Sequence, residues 1–251
     1  TNRTRGGEVA LESLMCSVSE IGALSGAAVP QVAVVIDVLR AFTVAPWVFA
    51  RGAATLRFAR DDIQALQMKS MLGPSARTIK DGPPAAGFDL VNSPGFVRGS
   101  DLTGCHIIQR TTNGTKGVLA ARRCRWILCA SLVNARATAR HVLATGASRV
   151  AFVITGEDGT ADEDLACADL IRNVMSGPTA DAVQVRQRVV SSPAARALDR
   201  GYRAGMRGVH PQDVGMCADV DRFDFALVAT VLDDHAVVEV SRSTVPFSHP
   251  G

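Results

Sequence analysis

Lysine is scarce in this chain: Lys69, Lys80 and Lys116 are the only three among 27 cationic residues. Against 24 Asp and Glu the net charge is +3, an excess too small to point to nucleic acid or an anionic membrane as partner. So little Lys beside so much Ala and Val reads as compositional bias rather than a surface selected for anions. No C-x-x-C pair occurs among Cys16, Cys105, Cys124, Cys129, Cys167 and Cys217, so buried free thiols in a reducing compartment are expected. Long hydrophobic runs are missing too. The longest, around residues 27–39, contains Gln31 and Asp37, and Glu8, Glu12 and Glu20 interrupt the N-terminus. That pattern excludes a membrane span and a secretory signal, leaving a cytoplasmic location as the expectation.

Several catalytic signatures are absent as well. Asp37-Val38-Leu39 lacks the second acid of the Asp-x-Asp motif of aspartyl-phosphate phosphatases. Cys129 and Arg136 are one residue too far apart for a thiolate phosphatase, and neither Arg-His-Gly nor G-x-S-x-G occurs. Neither G-x-G-x-x-G nor a Walker loop is present, which removes the main support for a nucleotide-binding domain. His106, His141, His210, His235 and His249 show no metal-ligand spacing and read as structural.

What is there is an ordinary globular chain of 251 residues, 47% apolar and 20% charged, enough for one large domain or two small ones. Val32–Val38 is continuously apolar and β-branched, the pattern of a strand buried on both faces. Further strands are predicted at 55–59, 105–109, 126–130 and 149–154, with a closing hairpin or two neighbouring edge strands over 225–240. Helices are predicted at 43–52, 61–72, 114–121, 133–145, 162–175, 181–189 and 194–201. Residues 1–28 read as an extension with a short helix and a loop, and 73–104, punctuated by Gly and Pro, as one long loop. Strands alternating with helices imply parallel pairing and an α/β fold.

In open α/β sheets ligands bind beyond the carboxyl ends of strands, and four segments qualify. In the first, Asp37 ends the buried strand, with Arg40 three residues on as its ion-pair partner or as a fork for an anion. The second, Thr111-Thr112-Asn113-Gly114-Thr115, opens a helix and offers hydroxyls and backbone N–H groups to an anion, or is simply an N-cap. The third, residues 155–164, holds five acids, of which Glu163 and Asp164 are the candidates for a hard cation such as Mg²⁺, unless the acids only complement the dipole of the helix they open. The fourth, Ser131 to Asn134, offers two small polar groups or a plain cap.

Together the segments Val34–Ala41 (VVIDVLRA), Gly87–Pro94 (GFDLVNSP), Thr111–Thr115 (TTNGT), Ser131–Ala135 (SLVNA) and Glu163-Asp164 with Cys167-Ala168 resemble the 2-phosphosulfolactate phosphatase (ComB) family, in its order and over residues 32–221. The resemblance implies a layered α/β/α fold of two lobes, split near 110–130 within a ComB-like phosphatase region at 29–251, with the active site in the cleft between them. It implies a Mg²⁺-dependent phosphatase for phosphate esters of 2-hydroxy acids, converting 2-phosphosulfolactate to sulfolactate in coenzyme M biosynthesis. On that basis Asp37 and one of Glu163 or Asp164 would anchor Mg²⁺. Arg40, Thr111, Thr112, Asn113, Gly114 and Thr115 would hold the phosphoryl group, and Asn92, Ser93, Ser131 and Asn134 would face the rest of a small anionic substrate. A homodimer is the default assembly. The chain departs from the family where Thr78-Ile79-Lys80-Asp81 replaces Gly-Glu and a basic residue, where Val91 replaces Gly, and where Asp169 replaces Gly. Ile79 falls at the Glu position unless Asp81 substitutes for it, so the alternative is a homologue that binds an anion without turning it over.

Overall fold

A computed structural model describes residues 11–177 and 181–242, and in it the apolar run Val32–Ile36 is buried along its whole length. Its side chains alternate between two cores. Ala33 and Val35 face one, while Val32, Val34 and Ile36 face the other. Residues 127–130 and 150–154 divide the same way, which is why these strands carry no polar face. Burial of one Val- or Ile-sized side chain contributes ~1.5–3 kcal/mol, so misplacing Asp37, the next residue, would mean unseating the core.

The strands are β1 (Glu12–Ser17), β2 (Val32–Ile36), β3 (Thr55–Phe58), β4 (Ala76–Lys80), β5 (Leu90–Val91), β6 (His106–Arg110), β7 (Trp126–Ala130), β8 (Arg149–Ile154), β9 (Ala226–Leu232) and β10 (His235–Ser241). The helices are α1 (Val18–Ala23), α2 (Ala41–Ala50), α3 (Asp62–Leu72), α4 (Pro94–Arg98), α5 (Gly114–Ala120), α6 (Ala135–Ala144), α7 (Asp162–Ser176), α8 (Ala182–Val190), α9 (Pro193–Arg203) and α10 (Asp213–Cys217). The fold is α/β, as expected. One core packs α2, α4 and α5 against the sheet, the other α6, α7 and α8, so helical layers cover both faces.

The strands form one sheet in the order β1-β8-β2-β7-β9-β10-β3-β6-β4-β5. The first four are mutually parallel, and so are the last four. Between them the hairpin β9–β10 makes three antiparallel steps, so the two parallel halves run in opposite senses. In a flat sheet their carboxyl ends would leave at opposite edges. The usual sheet twist of roughly 20–25° per step would, over the five steps from β2 to β6, turn one half across the other by roughly 100–125°. α2 touches β7 in one half and β3 in the other and is buried nearly all round. Near residues 110–130 the chain passes from β6 in one half to β7 in the other.

Two stretches differ from the sequence reading. Residues 73–104 are not one loop but contain β4, β5 and α4. β4 (ARTIK) is short and polar because only Ala76, Thr78 and Ile79 are buried, so it shows neither a continuous nor a strictly alternating apolar pattern. The segment expected as an N-terminal extension supplies the edge strand β1, paired in parallel with β8, as well as α1; residues 1–10 lie outside the described residues.

Candidate active site

Asp37 is the first residue beyond β2, and two helix starts converge on it. Its Oδ1 accepts the Ala41 N–H at 3.0 Å, and the Gly114 N–H at the start of α5 also hydrogen-bonds to the carboxylate. Position 114 favours glycine: a Cβ there would sit 3.0 Å from Asp37 Oδ2 and 3.1 Å from Phe42 Cζ, so these neighbours would have to give way. The Gly of Thr-Thr-Asn-Gly-Thr thus lets a backbone approach a carboxylate, and Asp37 and Gly114 come from strand ends in opposite halves of the sheet.

Asp37 opens into a cleft of about 280 Å³. Asp81, immediately beyond β4, faces it from the other half. Asp81 Oδ2 accepts the Thr112 N–H at 2.6 Å and Oδ1 accepts Asn92 Nδ2 at 2.7 Å. Asn92 Oδ1 in turn accepts Gln109 Nε2 at 2.9 Å, and the same nitrogen donates to Ala41 O at 3.0 Å. This buried relay runs from Asp81 to the helix start beside Asp37 and fixes one half of the site against the other. Ile79 is fully buried in the core. Lys80 turns away to pair with Asp62 at 2.5 Å.

The third side of the cleft comes from the start of α7. Asp164 is 2% exposed, with Oδ1 on the Val38 N–H at 2.9 Å and Oδ2 on the Gly156 N–H at 3.1 Å. It therefore ties the end of β8 to the end of β2. Glu163 lines the cleft beside it and hydrogen-bonds to the buried Ser192.

Of the phosphate-loop candidates, Thr112 and Asn113 line the cleft. Thr111 and Thr115 lie behind it with their hydroxyls on each other at 3.1 Å. Ser93, Ser131 and Asn134 are also fully buried behind the cleft. Ser93 caps α4, while Ser131 and Asn134 form a reciprocal capping box. Arg40 lines the cleft but is not paired with Asp37: its Nη1 donates to Asp213 Oδ2 at 2.5 Å and to Gly208 O at 2.9 Å. Sequence reading misses Asp213, which no local pattern marks; Thr155, Gly156 and Glu157, at the start of the third segment, line the cleft after β8.

Five carboxylates (Asp37, Asp81, Glu157, Glu163 and Asp164) and one guanidinium line this space. Burial raises the Asp37 carboxyl to about 7, helped by the charges of Asp81 and Glu163. Burial likewise pushes Asp164 well above the usual range, with Asp37 as the next cause, and raises Glu163. Such a cluster favours a bound cation, and its oxygen-only donors suit a hard divalent ion.

Comparison with known proteins gives one answer. The sequence model of a family described as 2-phosphosulpholactate phosphatase matches residues 21–230. A Bacillus subtilis protein named "Probable 2-phosphosulfolactate phosphatase" is 33% identical over 164 residues, covering 64% of this chain and 72% of its own. A protein of the same name from Deinococcus radiodurans is 34% identical over 198 residues, 76% of this chain and 82% of its own. Another, from Prochlorococcus marinus, is 32% identical over 210 residues, 77% and 86% of the two chains.

Proposed function

Because the chain belongs to the 2-phosphosulpholactate phosphatase family, we propose that it hydrolyses phosphate monoesters of 2-hydroxy acids, with 2-phosphosulfolactate as the type substrate. The observation that carries this reading is the meeting of carboxylates from β2, β4 and α7 with Arg40 and the Thr112–Asn113 turn in one cleft. A phosphoryl anion needs the second set, and an activating cation needs the first.

Mg²⁺ is the proposed cation. Among the described residues no three of His, Cys, Asp or Glu form a ready-made cage. Mg²⁺ needs only one or two protein carboxylates when water and phosphate oxygens complete its shell, so the donor set fits. Asp37 would hold it together with Glu163 or Asp164, of which Asp164 is the more deeply buried. When bound, Mg²⁺ neutralises phosphoryl charge and lowers the pKa of water. The chain's own residues do the rest. Arg40 and the Thr112–Asn113 turn hold the phosphoryl oxygens and Asn92 orients the remainder of the substrate; as water attacks phosphorus and gives its proton to Asp81, the ester P–O bond breaks and the departing 2-hydroxy oxygen takes a proton from solvent.

The test is release of inorganic phosphate from 2-phospholactate and 2-phosphosulfolactate. The expected result is Mg²⁺-dependent turnover lost on chelation, with esters lacking the 2-carboxylate slower by about tenfold or more. Tight binding without phosphate release would overturn the hydrolytic reading and leave an anion-binding homologue.

A second expectation follows from the raised carboxyls. The native state keeps their protons to higher pH than the unfolded chain does, so metal-free stability falls as pH rises from the ordinary carboxylate range through about 7. His141 works the other way at acid pH, because burial disfavours its charged form and holds it below the usual histidine range. The clean measurement is therefore the melting-temperature gain on adding Mg²⁺. It should be small at pH 5 and reach roughly 5 °C or more at pH 8; a gain independent of pH would refute the carboxylate site.

A further inference from the structure

Nothing in the reaction just described uses Asp213, yet Arg40 rests on it. The Asp213 carboxylate is fully buried at the start of α10, and its partners come from three separate segments of the chain, of which the one carrying Arg40 lines the cleft. Oδ2 accepts Arg40 Nη1 at 2.5 Å and the His210 N–H at 3.0 Å. Oδ1 accepts Ser93 Oγ at 2.6 Å and the Gly95 N–H at 3.1 Å. Arg40 Nη1 is held a second time by Gly208 O at 2.9 Å. Among the described residues, Nε and Nη2 make no hydrogen bond, and Arg40 is the one cation lining the cleft.

A guanidinium is a rigid planar fork, so tying one corner sets the direction of the rest. The anchor is itself stiff. A Cβ at Gly95 would sit 2.2 Å from the His210 ring, and one at Gly208 2.4 Å from Gly82 O, so Gly95 packs directly on that ring and Gly208 directly on the Gly82 backbone. A buried ion pair alone adds little stability over apolar replacements, so stability does not account for a charge pair kept at this rim. We propose that Asp213 is a positioning residue that aims the free edge of Arg40 at the phosphoryl group. The inference rests on the phosphatase reading only for the identity of the anion.

The test uses the full chain with Mg²⁺ and inorganic phosphate as probe, with dissociation constants from calorimetry and stability from thermal melts. Arg40→Ala should weaken phosphate binding by roughly 30-fold and Asp213→Asn by roughly tenfold. The double variant should bind no more weakly than Arg40→Ala alone, because both changes remove one interaction. A purely structural Asp213 would lower the melting temperature and leave phosphate affinity at the wild-type value, and that result, or singles that multiply in the double variant, overturns the proposal. Should Asp213→Asn not fold, Arg40→Lys decides: the charge stays but the anchored fork is gone, so affinity should fall nearly as far as in Arg40→Ala, and wild-type affinity refutes positioning. Wild-type turnover with phosphate affinity indifferent to Asp213 sinks this inference alone. Phosphate binding that depends on Asp213 in a chain releasing no phosphate sinks the hydrolase reading alone.

Discussion

Asp37→Asn is expected to lower turnover by about 10³-fold while leaving the fold intact. The amide keeps the shape of the carboxylate, and its Oδ1 can still accept the Ala41 N–H. What it loses is the negative charge at the head of the cleft. That charge is costly in the metal-free protein, since burial and the carboxylates of Asp81 and Glu163 oppose it. Removing it also relieves Asp164, whose carboxyl Asp37 helps to push up. The metal-free variant should therefore melt at or a few degrees above the wild type at pH 8, since ~1 kcal/mol corresponds to ~2–4 °C at this size. Its Mg²⁺-induced gain should shrink. Stability gained where activity is lost marks a functional residue; wild-type turnover in this variant would end the assignment.

Asp164→Ala should fail in the opposite way, losing about 3 kcal/mol of stability. The Val38 and Gly156 N–H groups lose their acceptor where the carboxylate was 2% exposed. An orphaned buried N–H costs ~1–3 kcal/mol. Relief of repulsion from Asp37 and Glu163 returns part of the loss, which keeps the net below the sum. Denaturant melts give the measurement, and the melting temperature should fall by ~6–12 °C. Asp164→Asn should fall between, because its one carbonyl oxygen can serve only one of the two N–H groups well. An Ala variant as stable as the wild type would show that Asp164 does not bind the two strand ends together.

Asp37 is legible in the sequence because a carboxylate ending a doubly buried strand has few explanations other than a site. The Thr-Thr-Asn-Gly-Thr turn is legible for a related reason, as small polar residues between a strand and a helix. Asp81 is harder. It follows a strand whose polar, half-buried residues carry no periodic signal, so the acid does not stand at a recognisable strand end. Ser93, Ser131 and Asn134 show the reverse difficulty: a residue that caps a helix and one that touches a ligand look alike in sequence, and burial alone separates them. Asp213 is invisible there, because its meaning lies in a contact with Arg40 across 173 positions.

By itself the sequence determined the alternation of strands and helices, the α/β class and the family, because periodicity, punctuation and short motifs are local properties. The tertiary structure alone decided which acids share a cleft and what Arg40 holds. A β9–β10 hairpin reverses half of the sheet and twist brings the two sets of strand ends together, and neither the reversal nor the twist is written in any one stretch of residues.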